Sequence, residues 1–582
     1  MPEPVISFSN FGFRYFSQAE NTLHDINLDI APGEKILIIG ASGSGKSTLG
    51  RCLNGLIPFS YRGKTSGSLF IGGRRAAAGN IFELSKQVGT VLQDSDSQFV
   101  GLTAGEDIAF SLENDAVAAE EMRERVAKAA AMVDMDRLLD SSPFELSGGQ
   151  KQRTSLAGVM TGGAEILVFD EPLANLDPAT GKTAIELIDE IHAETGKTII
   201  IIEHRLEDVL HRHIDRIITV RDGRIAADTD SDHLLSSGIL ARNGIREPLY
   251  ITALKYAGVN VRPELRPGRI DTLDMDAAGE PLRKWFTGAK KEKRPRSQKS
   301  ILKIEHLSFS YESGREVLHD ISFDIGEGEM VSIIGRNGAG KSTLTRLLCG
   351  FETPSSGSIF FDGRDIRDQT IRERAEYIGL VMQNPNQMIS ETMIRDEVGL
   401  GLRLRGMGGA EKEERVMRTL EICGLKPFAG WPVSALSFGQ KKRVTVASIL
   451  VLEPRILILD EPTAGQDYRH YSEFMDFLET LNRRGVTVIL ITHDMHLMLE
   501  YTPRAIVLSD GRLVSDAAAS DILTNDEVIL EANLRETSLY TLARKAGIDN
   551  KAGFVQAFID WKAAVHAAEP AREYETPPVE RQ

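Results

Sequence analysis

The stretch ILIIGASGSGKSTLGRCL, residues 36–53, places a glycine-rich loop between a strand-like apolar run and a helix-like run. The loop has the spacing Gly-x-x-x-x-Gly-Lys-Ser, and its glycines permit backbone angles that turn successive N–H groups toward one point. A helix that begins at the end of such a loop adds positive potential at that point. The stretch therefore predicts a phosphate cradle, in which Lys46 reaches the β- and γ-phosphates and Ser47 offers its hydroxyl to Mg²⁺.

The stretch recurs in the second half of the chain as VSIIGRNGAGKSTLTRLL, residues 331–348, with Lys341 and Ser342 in the matching positions. Two further segments recur in the same order: LSGGQ at 146–150 returns as LSFGQ at 436–440, and ILVFDEP at 166–172 returns as ILILDEP at 456–462. The copies are separated by 295 residues at the loops and by 290 at both later segments. So steady a separation indicates duplication of a whole domain.

Apolar runs and helical patterns alternate in the first half. The runs Ile36–Gly40, Ile166–Asp170 and Thr198–Glu203 have the length and β-branched content of buried strands, and Ala118–Val133 has a helical pattern. This alternation predicts a parallel sheet flanked by helices, and thus an α/β fold.

Composition narrows the class of protein. The chain has 582 residues, 42% hydrophobic and 26% charged, which suits several soluble core units. The net charge of −16 gives no support for nucleic-acid binding, and no apolar run reaches the roughly 18–20 residues that cross a bilayer. The N-terminal MPEPVISFSN does not have the pattern of a secretory signal.

The three cysteines have no metal-ligand spacing and no pairing framework. Cys52 and Cys349 lie in apolar stretches after the two glycine-rich loops, and we expect them in the core. Free thiols of this kind favour a reducing, cytosolic compartment.

A second chemical motif ends the recurring apolar strand with Asp-Glu. We expect the carboxylates of Asp170 and Asp460 to support the Mg²⁺ shell. Glu171 and Glu461 follow them by one residue, where a carboxylate can orient or deprotonate the attacking water. Phosphoryl transfer needs mostly positioning and charge neutralisation, so these few groups suffice for ATP hydrolysis.

With LSGGQ followed by KQR, and LSFGQ followed by KKR, the chain resembles the ATP-binding-cassette family over nearly its whole length. The resemblance implies two P-loop NTPase domains in tandem, each with a parallel-sheet core, a helical subdomain and a small antiparallel β region. It also implies an ATPase that uses ATP and Mg²⁺.

Several site residues follow from this resemblance. Tyr15 and Tyr311 resemble the aromatic residue that stacks on adenine, and His204 and His493 resemble the switch histidines near the γ-phosphate, counted with Glu171 and Glu461 as catalytic. The implied metal ligands are Ser47, Gln93, Asp170, Ser342, Gln383 and Asp460. The implied ATP contacts, besides the two tyrosines, are Gly40, Ala41, Ser42, Gly43, Ser44, Gly45, Lys46, Ser47, Thr48, Gly335, Arg336, Asn337, Gly338, Ala339, Gly340, Lys341, Ser342, Thr343, Ser147, Gly148, Gly149, Gln150, Ser437, Phe438, Gly439 and Gln440.

Cassettes of this family pair head to tail, so the resemblance implies intramolecular pairing and two composite sites. One would join Lys46 and Glu171 with LSFGQ, and the other Lys341 and Glu461 with LSGGQ. Phe438 replaces the glycine of the first signature, and AGQD at 464–467 replaces ANLD at 174–177. Because phenylalanine hinders close backbone approach to the γ-phosphate, we expect the site that uses LSFGQ to turn over more slowly.

The segments after the two glutamines, 93–114 and 383–402, resemble those of energy-coupling-factor importers for vitamins and transition metals, as does IIEHRLEDVL at 201–210. This implies a peripheral ATPase on the cytoplasmic face of the cell membrane. Its partners would be a separate transmembrane coupling protein and a substrate-binding membrane protein, with no nucleic acid. The cargo stays open among thiamine-type compounds, cobalt, nickel, biotin and riboflavin, since nothing in this chain contacts it.

The repeat extends beyond each core, because REPLYITALKYAG at 246–258 resembles RETSLYTLARKAG at 535–547. We expect the following boundaries: a first ATPase domain at 1–242 with its extension at 243–278, a basic linker at 279–300, a second domain at 301–532 with its extension at 533–566, and a disordered tail at 567–582.

Two other functions fit parts of the sequence. One is the ATPase of a different importer, such as a fused sugar-transporter ATPase, although those often have one degraded phosphate loop and both are intact here. The other is a soluble tandem cassette acting on ribosomes or DNA, which usually carries a long charged helical linker. The stretch between the halves is short, basic and proline-bearing instead.

Overall fold

The computed structural model describes residues 3–92, 98–174, 176–288, 299–311, 314, 316–463, 466 and 468–568. The chain divides into two compact units, 1–282 and 283–582, apart from residues 467–469, which group with the first. Each unit is described by itself below.

The described residues of the first unit form ten strands and eleven α-helices, and a twelfth helix, α12, begins in this unit and ends beyond it. The strands are β1 (Ile6–Tyr15), β2 (Leu23–Ile30), β3 (Lys35–Ile39), β4 (Gly63–Ile71), β5 (Arg74–Arg75), β6 (Val88–Val91), β7 (Ile166–Asp170), β8 (Thr198–Ile202), β9 (Arg216–Arg221) and β10 (Arg224–Thr229). The helices are α1 (Lys46–Leu53), α2 (Leu56–Phe59), α3 (Ile81–Ser85), α4 (Ala104–Asn114), α5 (Ala119–Met132), α6 (Gly148–Thr161), α7 (Pro178–Thr195), α8 (Leu206–Val209), α9 (Ser231–Ser236), α10 (Ile239–Arg242), α11 (Leu249–Tyr256) and α12 (Met275–Gly288).

A six-stranded sheet in the order β10-β9-β3-β8-β7-β6 forms the centre of this unit, and only β10 runs antiparallel to its neighbour. Strands β3 and β8 are buried along their whole length, and β7 is buried up to its last residue, as expected for parallel strands covered on both faces. Because parallel strands share one carboxyl edge, the segments that follow β3, β7 and β8 meet there.

A second, antiparallel sheet in the order β2-β1-β4-β5 packs against the first. Side chains from both sheets and from α1 form one buried cluster, which includes Phe13, Ile38, Cys52 and Ile200. The expectation that Cys52 and Cys349 lie in the core is confirmed, since all three cysteines are buried and free.

The second unit repeats this architecture, with sheet orders β16-β17-β18-β13-β19-β20 and β12-β11-β14-β15. Its strands are β11 (Ser300–Ser310), β12 (Glu316–Gly326), β13 (Met330–Ile334), β14 (Ser356–Phe361), β15 (Arg364–Asp365), β16 (Ile378–Val381), β17 (Ile456–Asp460), β18 (Thr487–Ile491), β19 (Arg504–Ser509) and β20 (Arg512–Ala518). Its helices are α13 (Lys341–Cys349), α14 (Ile371–Arg374), α15 (Ile394–Leu404), α16 (Gly409–Ile422), α17 (Phe438–Leu450), α18 (Tyr468–Arg483), α19 (Met495–Tyr501), α20 (Ala519–Ile522), α21 (Asp526–Glu531), α22 (Ser538–Lys545) and α23 (Lys551–Ala568). The predicted fold class, with two parallel-sheet cores and two small antiparallel sheets, is confirmed.

A helical subdomain interrupts each core between its edge strand and the Asp-Glu strand. Helices α4, α5 and α6 pack together in the first unit, and α15, α16 and α17 in the second. The N-terminus of α4 is fixed by a capping box, in which Thr103 accepts from the Glu106 N–H and Glu106 accepts from the Thr103 N–H. The subdomain places the two signature segments at the starts of α6 and α17.

The region between the cores is more helical than the composition predicts. Helix α12 continues to Gly288, so the expected linker is wrong for residues 279–288, where a helix with buried residues forms instead. The basic run at 290–298 and the tail beyond residue 568 lie outside the described residues. Among the described residues, no helix is both long enough and apolar enough to cross a membrane.

Candidate active site

The first phosphate loop, residues 40–48, joins β3 to α1 as predicted. Gly43 and Gly45 have φ values of 75° and 107°, which L side chains rarely adopt. The Lys46 ammonium folds back along the loop and donates to the carbonyl oxygens of Gly40 at 2.7 Å and Ala41 at 3.0 Å. The loop thus surrounds its own lysine and closes at the N-terminus of a helix.

The second phosphate loop, residues 335–343, has the same form. Gly338 and Gly340 have φ values of 81° and 97°, and Lys341 donates to Gly335 O at 2.6 Å and Arg336 O at 3.0 Å. A Cβ at Gly335 would lie 2.1 Å from the Leu508 carbonyl oxygen, so only glycine fits there.

These loops suit a triphosphate. In the first, the buried Ser44 Oγ has no hydrogen-bond partner among the described residues, and a buried polar atom of this kind calls for one. Positive-φ glycines, a helix N-terminus and a buried ammonium give the donor set that phosphate oxygens require. Ser47 and Ser342 are the second residues of α1 and α13, next to the loop lysines.

The carboxylates Asp170 and Glu171 end β7 at the shared edge of the first sheet. Glu171 has a left-handed φ of 50°, and its N–H donates to Ile202 O of β8 at 2.8 Å. Burial raises the pKa of Asp170, partly opposed by Arg51. Burial also raises the pKa of Glu171, and the nearby Glu203 adds to that shift while His204 opposes it.

The second half repeats this geometry at Asp460 and Glu461. Glu461 has φ 44°, and its N–H donates to Ile491 O at 2.8 Å. Burial raises the pKa of Asp460 to about 6, with the adjacent Glu461 adding to the shift and Lys341 opposing it. A divalent cation would favour the ionised form of such a carboxyl, so Asp170 and Asp460 fit the role of Mg²⁺ ligands.

The switch histidines differ between the halves. His493 Nδ1 lies 2.7 Å from Glu461 Oε1, a hydrogen bond. His204 Nδ1 lies 4.0 Å from Glu171 Oε2 but 3.1 Å from Oε1 of Glu203. The structure therefore brings loop, carboxylates and histidine together in each half, and it adds Glu203, which the motif reading did not single out. The available signal was the contrast of Glu-His in one copy with Thr-His in the other.

The predicted adenine-contact tyrosines lie beside their loops. Tyr15 Oη is 3.2 Å from Thr48 Oγ1, and Tyr311 Oη is 3.3 Å from Thr343 Oγ1. The first half adds Arg51, which donates to Tyr15 Oη at 3.2 Å and lies over the ring of Tyr61.

Tyr61 belongs to a five-residue insertion after α1, which accounts for the change of repeat separation from 295 to 290. The sequence itself indicates the insertion, because the separation between the repeated segments changes between the phosphate loops and the signatures. The insertion places a second aromatic side chain 6.3 Å, between ring centroids, from the candidate adenine-contact residue.

The predicted metal ligands Gln93 and Gln383 follow β6 and β16. Gln93 lies outside the described residues, as do Asn175 and most of the AGQD segment. Gln383 is exposed, two residues past the end of β16.

The signature segments begin helices α6 and α17 through matching capping boxes. Ser147 and Ser437 cap the N3 amides of Gln150 and Gln440. A Cβ at Gly148 would meet only Leu176 Cδ2 at 3.9 Å, so packing within the first half leaves room for a side chain there. The glycine is therefore not required by its own half. Gly149 and Gly439 follow in the first turns of the same helices.

Phe438, which replaces that glycine, is 43% exposed and lies over Lys442, whose Nζ is 5.4 Å from the ring centroid. Lys442 is 3% exposed and donates to Pro462 O at 2.6 Å, and burial lowers its pKa to about 8. The first half has Gln152 at this position, donating to Pro172 O. Phe438 thus comes with a second change, Gln to Lys, one helical turn later.

Comparison with known families gives two matches. A model described as "ABC transporter" matches residues 23–174 and 318–464, which include both phosphate loops, both signatures and both Asp-Glu pairs. A model described as "ATP-binding cassette cobalt transporter" matches residues 237–309, the extension of the first half and the start of the second.

Two curated relatives are similar over nearly their whole length. A putative ABC transporter ATP-binding protein of Clostridium perfringens is 55% identical over 96% of this chain and 98% of its own. One of Enterococcus faecalis is 53% identical over 97% of this chain and 100% of its own. A solved structure, cbiO1 of Clostridium perfringens, described as part of the ABC transporter complex cbiONQ, is 37% identical over 41% of this chain and 96% of its own, with a TM-score of 0.38.

Proposed function

Because this chain belongs to the ABC transporter family of ATP-hydrolysing proteins, we propose that it is the ATPase subunit of a membrane importer of the energy-coupling-factor type, taking up a vitamin or a metal ion. Each half has a phosphate loop, an Asp-Glu pair and a histidine at one sheet edge, which supports ATP hydrolysis in both halves. Two ATP molecules are therefore hydrolysed per chain, one for each loop.

The observation that carries the importer assignment is the match of residues 237–309 to the cobalt-transporter cassette model. Most of this region lies between the two cores and it contains no phosphate loop, signature or Asp-Glu pair, so the match is not a consequence of the motifs that all cassettes share. The relatives that span the whole chain carry transporter names in several bacteria, which supports the same class.

Each half contributes the same sequence of actions. The loop N–H groups and the lysine bind and orient the phosphates, while Glu171 or Glu461 positions the attacking water. Mg²⁺, when bound, supplies charge neutralisation at the phosphate oxygens. His204 or His493, two residues after β8 or β18, stabilises the γ-phosphate.

The two halves pair head to tail in this proposal, so that Lys46 and Glu171 work with LSFGQ, and Lys341 and Glu461 with LSGGQ. ATP binding closes the pair, and hydrolysis with product release reopens it. A transmembrane coupling protein and a substrate-binding membrane protein, both separate chains, convert this motion into uptake at the cytoplasmic face. Cobalt and thiamine-type compounds are the first cargoes to test.

The test is capture from the native membrane. Affinity-tagged full-length protein is purified from detergent-solubilised membranes, and co-purifying polytopic proteins are identified by mass spectrometry. The complex is then reconstituted in liposomes, and ATP-dependent uptake of cobalt and of thiamine is measured. A chain carrying both Glu171→Gln and Glu461→Gln is the matched control, which keeps its partners and loses uptake. Co-sedimentation with ribosomes instead of membranes would overturn the importer assignment.

A further inference from the structure

We propose that Glu203 is a positioning residue that holds the switch histidine His204 in the first half, a task that the catalytic carboxylate Glu461 itself performs for His493 in the second. The two halves would then hold their histidines with different carboxylates. The proposal concerns only the ATPase reaction.

Glu203 is a fully buried carboxylate at the end of β8, with no exposed surface. It accepts hydrogen bonds from the backbone N–H groups of His204 at 2.8 Å, Arg205 at 3.2 Å and Leu173 at 3.2 Å. A buried carboxylate is costly unless it is well bonded, and these three donors meet that need. They also tie the end of β8 to the segment that follows Glu171.

The imidazole of His204 is directed at this carboxylate. Its Nδ1 is 3.1 Å from Glu203 Oε1 and 4.0 Å from Glu171 Oε2, so the nearer carboxylate is Glu203, in a close polar contact. The Nδ1 edge of the ring therefore lies against Glu203. The other ring nitrogen, Nε2, is the one that we expect to reach the nucleotide.

The second half has Thr492 in place of Glu203. Glu203 only accepts hydrogen bonds, whereas the Thr492 side chain donates one to the catalytic carboxylate. The Thr492 hydroxyl donates to Glu461 Oε2 at 3.3 Å and accepts from the Asp494 N–H at 2.9 Å. His493 Nδ1 then bonds to Glu461 Oε1 at 2.7 Å. Two groups therefore converge on the catalytic carboxylate in the second half, whereas the histidine of the first half lies nearer to Glu203 than to the catalytic carboxylate.

A purely structural role for Glu203 would be to anchor three backbone N–H groups. This role and the proposed one separate in a double-mutant cycle with His204, because residues that act as a unit are not additive. The cycle is run in full-length protein with Glu461→Gln, which silences the second half, and single-turnover hydrolysis of radiolabelled ATP is measured.

In this background we expect Glu203→Thr to lower the first-half rate about tenfold with KM for ATP unchanged within twofold, because the phosphates are bound by the loop. His204→Ala should lower the rate at least as much, and the combined variant should fall no more than about twofold below His204→Ala alone. Glu194→Gln, which changes an exposed carboxylate of α7, is the control and should stay within twofold.

Three results would overturn the proposal: an equal loss from Glu203→Thr with and without His204→Ala, no loss from either single change, or no first-half turnover at all. If Glu203→Thr does not fold, Glu203→Gln, which keeps the shape, completes the cycle against the same criteria. Failure to find a membrane partner would remove the importer assignment and leave this result intact, since only ATP hydrolysis is measured.

Discussion

Glu171 and Glu461 hold left-handed backbone angles, φ 50° and 44°, directly after a buried strand. A residue with a side chain pays about 1–3 kcal/mol for such a conformation, which persists only where the surroundings enforce it. The N–H bonds to Ile202 and Ile491 do so in both copies. The strain turns each carboxylate out of the strand direction at the sheet edge, beside the phosphate loop.

At the scale of single residues, we predict that Glu171 and Glu461 contribute unequally to ATP turnover. Glu461→Gln should lower ATP turnover more than Glu171→Gln does, because it leaves only the site assigned to the LSFGQ signature, which we expect to be the slower one. Steady-state phosphate release from the two variants, with Phe438→Gly as a third chain, makes the comparison. Restoring the glycine should raise the residual turnover of Glu461→Gln and leave that of Glu171→Gln unchanged. Equal loss from both Glu→Gln changes would end the idea of asymmetry.

Lys442 lies buried under Phe438, where burial lowers its pKa from the usual 10.5 to about 8. Below pH 8 the lysine is charged in both the folded and the unfolded chain, and the folded state bears the full cost of burying that charge. Between pH 8 and 10.5 the folded chain releases this proton while the unfolded chain retains it, so stability rises with pH there, by at most about 3 kcal/mol.

The replacement Lys442→Gln, which introduces the residue of the first half, tests this. The glutamine keeps the bond to Pro462 O, as Gln152 bonds to Pro172 O, and it buries no charge. We expect a higher melting temperature than wild type at pH 7.5, and a smaller gap at pH 9.5. Differential scanning calorimetry at both pH values measures the gap, and a gap independent of pH would contradict the expectation.

At the scale of elements, both extensions are tied to the helix that follows a switch histidine. In the first half the Leu249 N–H at the start of α11 donates to Glu207 of α8 at 2.9 Å. In the second half Lys562 of α23 pairs with Glu500 of α19 at 2.5 Å, and the Glu500 side chain is only 3% exposed. A movement of either histidine segment during turnover would therefore reach an extension.

The ion pair between α19 and α23 predicts how substitutions change the stability with which α23 docks. Lys562→Met removes the ammonium from a buried carboxylate and should destabilise the docking of α23 by about 3 kcal/mol. Adding Glu500→Gln should recover part of this loss, because the buried charge is then gone. Hydrogen exchange of residues 551–568 follows the docking. The idea fails if the double variant exchanges faster than Lys562→Met alone.

The extension of the first half differs in part from what its sequence predicts. The repeat is evident because REPLYITALKYAG and RETSLYTLARKAG share apolar positions. Composition, however, does not predict the helix that continues to Gly288. Glycine, proline and charge within 279–288 predict a linker by composition, whereas Ala278 and Leu282 are buried. Burial of one face outweighed local propensity there.

For the whole molecule, the fold and the main site residues followed from a few short motifs. A glycine-rich loop between strand and helix, an Asp-Glu pair after a buried strand and a histidine after another define one sheet edge, so their meeting was predictable. The partners of these groups were not. Glu203, Lys442 and Tyr61 also contact residues about 20 or more positions away, Leu173, Pro462 and Tyr15 respectively, and motif spacing does not record such contacts.

The duplication predicts a binding stoichiometry. Wild-type protein should bind two molecules of ATP in the presence of Mg²⁺, and Lys46→Ala or Lys341→Ala should each bind one tightly, because each loop supplies its own lysine. Catalytically silent chains with Glu171→Gln and Glu461→Gln allow this to be measured by calorimetric titration. Two tight sites in either lysine variant would show that the loops do not act as separate cradles.

All three tryptophans of the chain lie beyond residue 284, at Trp285, Trp431 and Trp561. The rings of Trp285 and Trp561 are 6.0 Å apart, between centroids, and Trp285 also contacts Phe554 of α23. All three tryptophans thus belong to the second compact unit, so tryptophan fluorescence comes from that unit alone. In a Lys341→Ala chain, ATP binds tightly only at the first loop. A change of tryptophan emission on ATP binding would therefore show that binding in the first half alters the second half.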